Sequence, residues 1–207
     1  MYLSRTPHIA RILYPGLTWR MKPARNSIYL TFDDGPDPTV TPEALDLLDT
    51  YDARATFFCV GQKVQEHPEL YGQLITRGHT TGNHTFNHLN GKKTDTESYV
   101  RNVEMASQLI SSKLFRPPYG RITASQARQL KGKYKIIMWS VLPGDFDPGR
   151  TSEDVLSRAI RHTRSGSIVV LHDNAKFKAK MLHTLEGFLR HFKELGYRFE
   201  AIPEERI

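Results

Sequence analysis

The sequence predicts an α/β protein built on a parallel sheet, most simply closed into a barrel, within a single domain. Three observations predict it. Seven apolar, β-rich runs recur along the 207 residues, at 27–32, 54–60, 79–82, 113–116, 134–142, 167–172 and 197–202. Helix-like stretches separate most of them, and strand-helix alternation of this kind signals parallel pairing. The residues able to do chemistry collect at or just beyond the C-terminal ends of these runs. In a β/α barrel all such ends open on one rim, where active sites are built.

Taken in order, residues 1–26 read as a short N-terminal arm packed on the barrel and residues 27–207 as the domain itself. The first run, SIYLTF, ends abruptly in DDGPDP. Two adjacent carboxylates, broken at once by Gly and Pro, gain nothing for a strand's stability. They make sense when there is a cation to hold. Thr41 and Pro42 read as the N-cap and first residue of a helix whose Ala44, Leu45 and Leu48 share one face. The second run, ATFFCV, carries Cys59, the only cysteine, which excludes an internal disulfide and reads as a small buried strand residue.

After the third run, GNHTFNH sets His84 and His88 four residues apart, and in a helical turn both imidazoles would lie on one face. Residues 96–112 place Val100, Val103, Ala106 and Ile110 at helical spacing. RPPYG (116–120) closes the fourth run, and GDFD (144–147) follows the fifth. Thr151 with Asp154 resembles a capping box opening the next helix. The sixth run ends in LHD with His172, and the last helix stops at Gly196, a natural residue just past a helix end.

Composition narrows the function classes. The net charge of +7 includes basic clusters at 131–135 and 176–180, and Arg158, Arg161 and Arg164 along one predicted helix. These read as a solvated surface, or as attraction to an anionic polymer such as a cell-wall glycan. No zinc-finger spacing or RNP aromatics accompany the charge, so nucleic acid is not an expected partner. No apolar run approaches the ~20 residues a bilayer span requires. Arg11 and Pro15 interrupt the N-terminal apolar residues, so no signal-peptide core is present. The expectation is a cytoplasmic monomer, or a cell-envelope protein if a leader has been removed.

Two histidines and one carboxylate make a three-ligand site with open positions, the form of catalytic metal centres, suited to Zn²⁺ or to Co²⁺, Ni²⁺ or Mn²⁺. One aspartate of TFDDGP then serves as ligand. The other lies close enough to take a proton from the attacking water. Arg116 can fix that carboxylate's orientation, and His172 is placed to protonate a leaving group.

TFDDGP, HTFNH, RPPYG, a tryptophan-led strand running to Asp145, and LHD occur in this order, and together resemble the polysaccharide deacetylases of the NodB homology family, carbohydrate esterase family four. The resemblance covers roughly residues 26–202. It implies a distorted (β/α)₇ barrel, and a metal-dependent enzyme that removes the N-acetyl group from N-acetylglucosamine units of a chitooligosaccharide or peptidoglycan-type glycan. It implies Asp33 as catalytic base, with Asp34, His84 and His88 as metal ligands. Arg116 would orient Asp33, the Tyr119 N–H would help form an oxyanion hole, Asp145 would tune the acid His172, and Leu171 would line the acetyl pocket.

The chain departs from the family's Asp-x-x-Asp-Trp pattern in carrying Leu142 and Phe146 at the first and last positions. Phe146 keeps a smaller aromatic wall, which bears on acyl-pocket shape. An O-acetyl esterase on xylan-like glycans, or an amidohydrolase of small cyclic amides, would use the same machinery. A catalytically dead glycan-binding module would have lost a ligand, base or acid.

Overall fold

The first strand, β1 (Ser27–Asp33), is buried along its whole length, which is why its sequence runs apolar instead of alternating. In the computed structural model, which describes residues 4–22 and 26–204, β1 lies inside a parallel sheet. On one side come β2 (Thr56–Cys59), β3 (Thr80–Asn83), β4 (Leu114–Phe115) and β5 (Lys135–Ile136), each paired with the one before. On the other side β6 (Ile168–His172) pairs with β1, from Tyr29 opposite Ile168 to Asp33 opposite His172. The short β7 (Arg198–Phe199) pairs with Ser27 and Ile28 at the start of β1.

Each predicted run therefore contributes a strand, but the sheet is not closed. Between β5 and β6 the backbone is joined by one bridge, Val141 to Val169, and the N-terminal segment occupies the gap: Thr18 bridges Ile137 and Arg20 bridges Ser167. The long run 134–142 reduces to a two-residue strand because its later residues pair with this segment.

Helix α1 (His8–Leu13) lies in the N-terminal segment. Helices α2 (Thr41–Thr50), α3 (Gly61–Glu66), α4 (Pro68–Thr76), α5 (Thr96–Ser107), α6 (Ala124–Leu130), α7 (Ser152–His162) and α8 (Lys178–Glu194) follow between the strands. Leu45 and Leu48 of α2, Leu185 and Phe188 of α8, and Phe32 and Phe57 of the sheet form the main core, with the last two rings stacked at 4.7 Å. Cys59 is buried and free, as its sequence context implied.

Side-chain hydrogen bonds overrode three sequence expectations. Thr41 is not an N-cap: its hydroxyl accepts the Asp37 N–H and donates to the Asp173 carboxylate, a tertiary bond 132 residues away. Helix α5 ends at Ser107, before Ile110, because the chain must turn into β4; Ser112 Oγ pins that turn by accepting the Leu114 N–H and donating to Thr81 O. Thr151 does cap α7 through the Asp154 N–H, but the Asp154 carboxylate turns to Arg150 and Arg158. The reciprocal capping box forms at Thr123 and Gln126 of α6. At the end of α8, Gly196 takes the left-handed backbone expected of it (φ 73°).

Candidate active site

The end of β1 sends its two carboxylates to different tasks. Asp33 is the last strand residue, whereas Asp34 takes a left-handed backbone (φ 79°), rare for a residue with a side chain. The turn separates groups that would otherwise repel. Gly35 follows of necessity, since a Cβ there would fall 2.0 Å from the Asp173 carboxylate.

Asp34 Oδ1 lies 3.1 Å from His88 Nε2 and 3.8 Å from His84 Nε2. Burial acts to raise the Asp34 pKa, but the hydrogen bond from His88 and the fields of His172, His84 and His88 hold it well below the ordinary carboxylate range. The histidines do not share a helical turn. Residues 84–90 form a loop in which Thr85 (φ 65°) and His88 (φ 60°) are left-handed. Side chains fix that loop: Asn83 Oδ1 accepts the Thr85 N–H, Asn102 Oδ1 the Phe86 N–H, and Thr85 Oγ1 the Leu89 N–H.

The same two imidazoles still converge, with ring centroids 5.1 Å apart. One ligand atom from each of Asp34, His84 and His88 lies within 4.8 Å of the others, which fits a single divalent ion. Outer partners orient both rings. His84 Nδ1 is 2.8 Å from Arg116 O, leaving Nε2 for the site, and His88 Nδ1 is 3.1 Å from the Tyr119 hydroxyl. Burial pushes His84 down to about 4, so it is a neutral imidazole at neutral pH, the form a metal requires.

Asp33 answers to Arg116. The arginine is fully buried; Nη1 donates to Asp33 Oδ1 at 2.6 Å and to Thr31 Oγ1 at 2.8 Å. Nε and Nη2 donate to the carbonyls of Ile137 and Met138, and the guanidinium lies 4.0 Å over the Phe58 ring. Arg116, just after β4, is thereby held by β1 and the segment after β5, and in turn holds Asp33 Oδ1. Asp145, in the turn between β5 and α7, is buried and binds His172 at the end of β6 twice, accepting its backbone N–H at 2.7 Å and facing Nδ1 at 2.9 Å. Burial alone would lower the His172 pKa. The charge and hydrogen bond of Asp145, with Asp34 and Asp33 beyond, outweigh it and push the pKa up to about 10.

Asp33, Asp34, His84, His88, Tyr119, Phe146 and His172 line one cavity of about 370 Å³ at the C-terminal ends of the strands. The polysaccharide deacetylase family model matches residues 20–135 of this chain. The chain belongs to the polysaccharide deacetylase family. It is 36% identical over 197 residues to a peptidoglycan-N-acetylglucosamine deacetylase of Bacillus cereus, covering 91% of this chain and 92% of the relative. It is 34% identical over 167 residues to a chitooligosaccharide deacetylase of Azorhizobium caulinodans, covering 76% and 79%. A crystal structure of a peptidoglycan N-acetylglucosamine deacetylase superimposes with a TM-score of 0.87 at 26% identity, over 97% of this chain and all of that one.

Within this polysaccharide deacetylase, Leu171 does not line the cavity. Side chains alternate along β6, so Val170 and His172 face the cavity while Leu171 enters the main core. Leu142 and Phe146, the two departures from the family pattern, both line the cavity, and Phe146 meets the His172 ring edge-on at 5.1 Å. Trp139 and Phe177 complete the apolar wall. Phe177 had no signal in the sequence, because it arrives from the turn before α8. The Tyr119 side chain was also missed, since only its backbone entered the sequence argument.

Proposed function

We propose that this chain is a zinc-dependent N-deacetylase of N-acetylglucosamine units in peptidoglycan- or chitin-type glycans. The observation that carries the reading is the pairing of a proton acceptor and a proton donor across one cavity. Asp33 and His172 are register partners on adjacent strands, and each is held by a buried partner of opposite charge. The three-ligand cluster opens on the same cavity. The named activities of the relatives support the substrate class.

An acetamide is a weak electrophile with a poor leaving group, so both ends of the reaction need help. A divalent ion held by Asp34, His84 and His88 supplies a Lewis acid for the carbonyl and a more acidic water. Asp33, fixed by Arg116, accepts the proton as the water oxygen bonds to the acetyl carbon. The Tyr119 N–H meets the oxyanion that forms. His172, whose Nδ1 is committed to Asp145, gives a proton from Nε2 to the amine nitrogen as the carbon-nitrogen bond breaks. Acetate and a free glucosamine unit result. Leu142, Val170 and Phe146 form the apolar surface available to the acetyl methyl group.

The test is acetate release from N-acetylglucosamine oligomers, and from acetylxylan, by chelated protein with and without added Zn²⁺ or Co²⁺. Metal-dependent release from the oligomers is expected, with acetylxylan the poorer substrate. No release with any metal, from protein shown to bind it, would sink the reading.

A further inference from the structure

A second cavity, of about 340 Å³, opens at the N-terminal ends of the strands. Ser167 on its wall immediately precedes β6, whereas His172 ends that strand. Five residue steps at strand rise put the two sites roughly 16 Å apart on opposite rims. Arg5, Arg20, Arg164 and His162 line this second cavity with Trp19, and no carboxylate is among the described lining residues. Arg164 gives part of its guanidinium to the carbonyls of Arg161 and Thr163, and Arg20 to that of Ser165, at and just after the end of α7, which fixes where their charge sits. The local field is positive enough that His162, lowered first by burial, is lowered further by Arg161, Arg5, Arg158 and Arg164.

Beside this basic cavity lies an apolar patch facing water. Ile9, Ile12, Leu13 and Tyr14 are 63%, 70%, 65% and 55% exposed. Ile9, Ile12 and Leu13 fall on one face of α1 by helical spacing. The patch and the cavity are continuous: α1 follows directly on Arg5, Thr6 and Pro7 of the cavity wall, and Trp19 Nε1 donates to Tyr14 O at 3.3 Å. Clustered exposed apolar residues beside a basic site mark an interaction surface, not a solvated one.

We infer that this rim is a peripheral membrane-docking surface, on which the arginine cavity seats the phosphates of anionic phospholipids and the α1 side chains enter the headgroup boundary. Charge complementarity selects the occupant. Guanidinium groups match phosphate oxygens, no carboxylate among the described residues lining the cavity competes for them, and an apolar helix face gains from lipid but not from a free anion. The mixture of Trp, Tyr and Arg is that of a membrane-water interface. The surface anchors the chain by its N-terminal rim and leaves the opposite rim, with the candidate active site, facing outward.

The experiment is co-sedimentation of the full chain with vesicles of phosphatidylcholine alone and of phosphatidylcholine with phosphatidylglycerol. Binding to the anionic vesicles only, weakening with added salt, is expected. Arg5→Gln with Arg20→Gln should weaken it roughly twenty-five-fold, at about fivefold for each arginine near the surface. Ile9→Ser with Ile12→Ser, both exposed and so without effect on folding, should weaken it by on the order of tenfold or more. Thermal melts of each variant provide the folding control, and the isoleucine pair stands if the arginine pair fails to fold. No binding to anionic vesicles, or binding undiminished in the folded variants, overturns the inference. So does thermal stabilisation by inorganic phosphate or pyrophosphate without vesicle binding, which would assign the cavity to a free anion. Concentration-dependent dimerisation lost in Ile9→Ser with Ile12→Ser, again without vesicle binding, would assign the patch to a second copy.

Discussion

Replacing Asp145 by Asn isolates what one buried carboxylate does for the proposed acid. In the native protein Asp145 accepts from both the backbone N–H and Nδ1 of His172, and the imidazole pKa stands at about 10 instead of 6.5. Asparagine preserves the shape but removes the charge, and its single oxygen can serve only one of the two donors. Without the charge, His172 returns toward 6.5 or below, since burial works against protonation. At about pH 8 a group of ordinary histidine pKa is only about 3% protonated, so a deacetylation that needs the acid form should slow roughly thirtyfold from protonation alone. A wrong tautomer would add to that loss; in a comparable aspartate-to-asparagine change it reaches about 10⁴. The assay is a pH-rate profile of acetate release from N-acetylglucosamine oligomers. The basic limb should move down by about three to four pH units, to near the ordinary histidine range. A divalent ion in the cluster lowers both limbs by repulsion, so the difference between the two proteins is the quantity to read. If the variant kept the native basic limb and near-native rate, His172 would not be the acid.

Asp33→Asn should retain metal yet lose turnover, whereas His84→Ala should lose both, as read by metal analysis beside acetate release. Arg116→Met leaves Asp33 buried without its partner and strips donors from Ile137 and Met138; destabilisation of about 3–5 kcal/mol in urea unfolding is expected. Tyr119→Phe removes the group that faces His88 Nδ1, and should weaken metal affinity by about 10- to 100-fold in chelator competition while leaving the fold intact. The raised pKa of His172 also predicts a stability profile. Its contribution is fully present below about 6.5 and is lost as pH rises through about 10, so the native protein should lose thermal stability over that window and Asp145→Asn should lose far less.

The patterns written in consecutive residues were legible before any coordinates. Burial of β1 on both faces leaves an unbroken apolar run, and helix-forming segments between such runs favour parallel pairing, so a parallel α/β sheet could be anticipated from the sequence, though not the order of its strands. The placement of chemistry at strand ends followed from the same reading, because strand polarity in a parallel sheet sends every C-terminal end to one rim. That is how Asp33, Asp34, His84, His88, Arg116, Asp145 and His172 stand out as candidates in the sequence.

Tertiary contact decided the rest, for a consistent reason: these features depend on groups far apart in sequence. The histidine pair converges through a side-chain-braced loop instead of a helical turn, because Asn102 on α5 satisfies the loop's backbone. The barrel stays open because residues 18 and 20 pair into the gap between β5 and β6, competing for hydrogen bonds that strand spacing alone would assign to closure. The Thr41 hydroxyl turns away from capping α2 to bind Asp173, and Gly35 is required by that same carboxylate. Periodicity can say that a side chain alternates, as at Val170 and Leu171, but which face meets the cavity is fixed only when β6 takes its register beside β1. Local sequence sets what each segment can form. The long-range bonds, each linking residues that the chain itself keeps apart, choose among those forms and bring the carboxylates and imidazoles to one place.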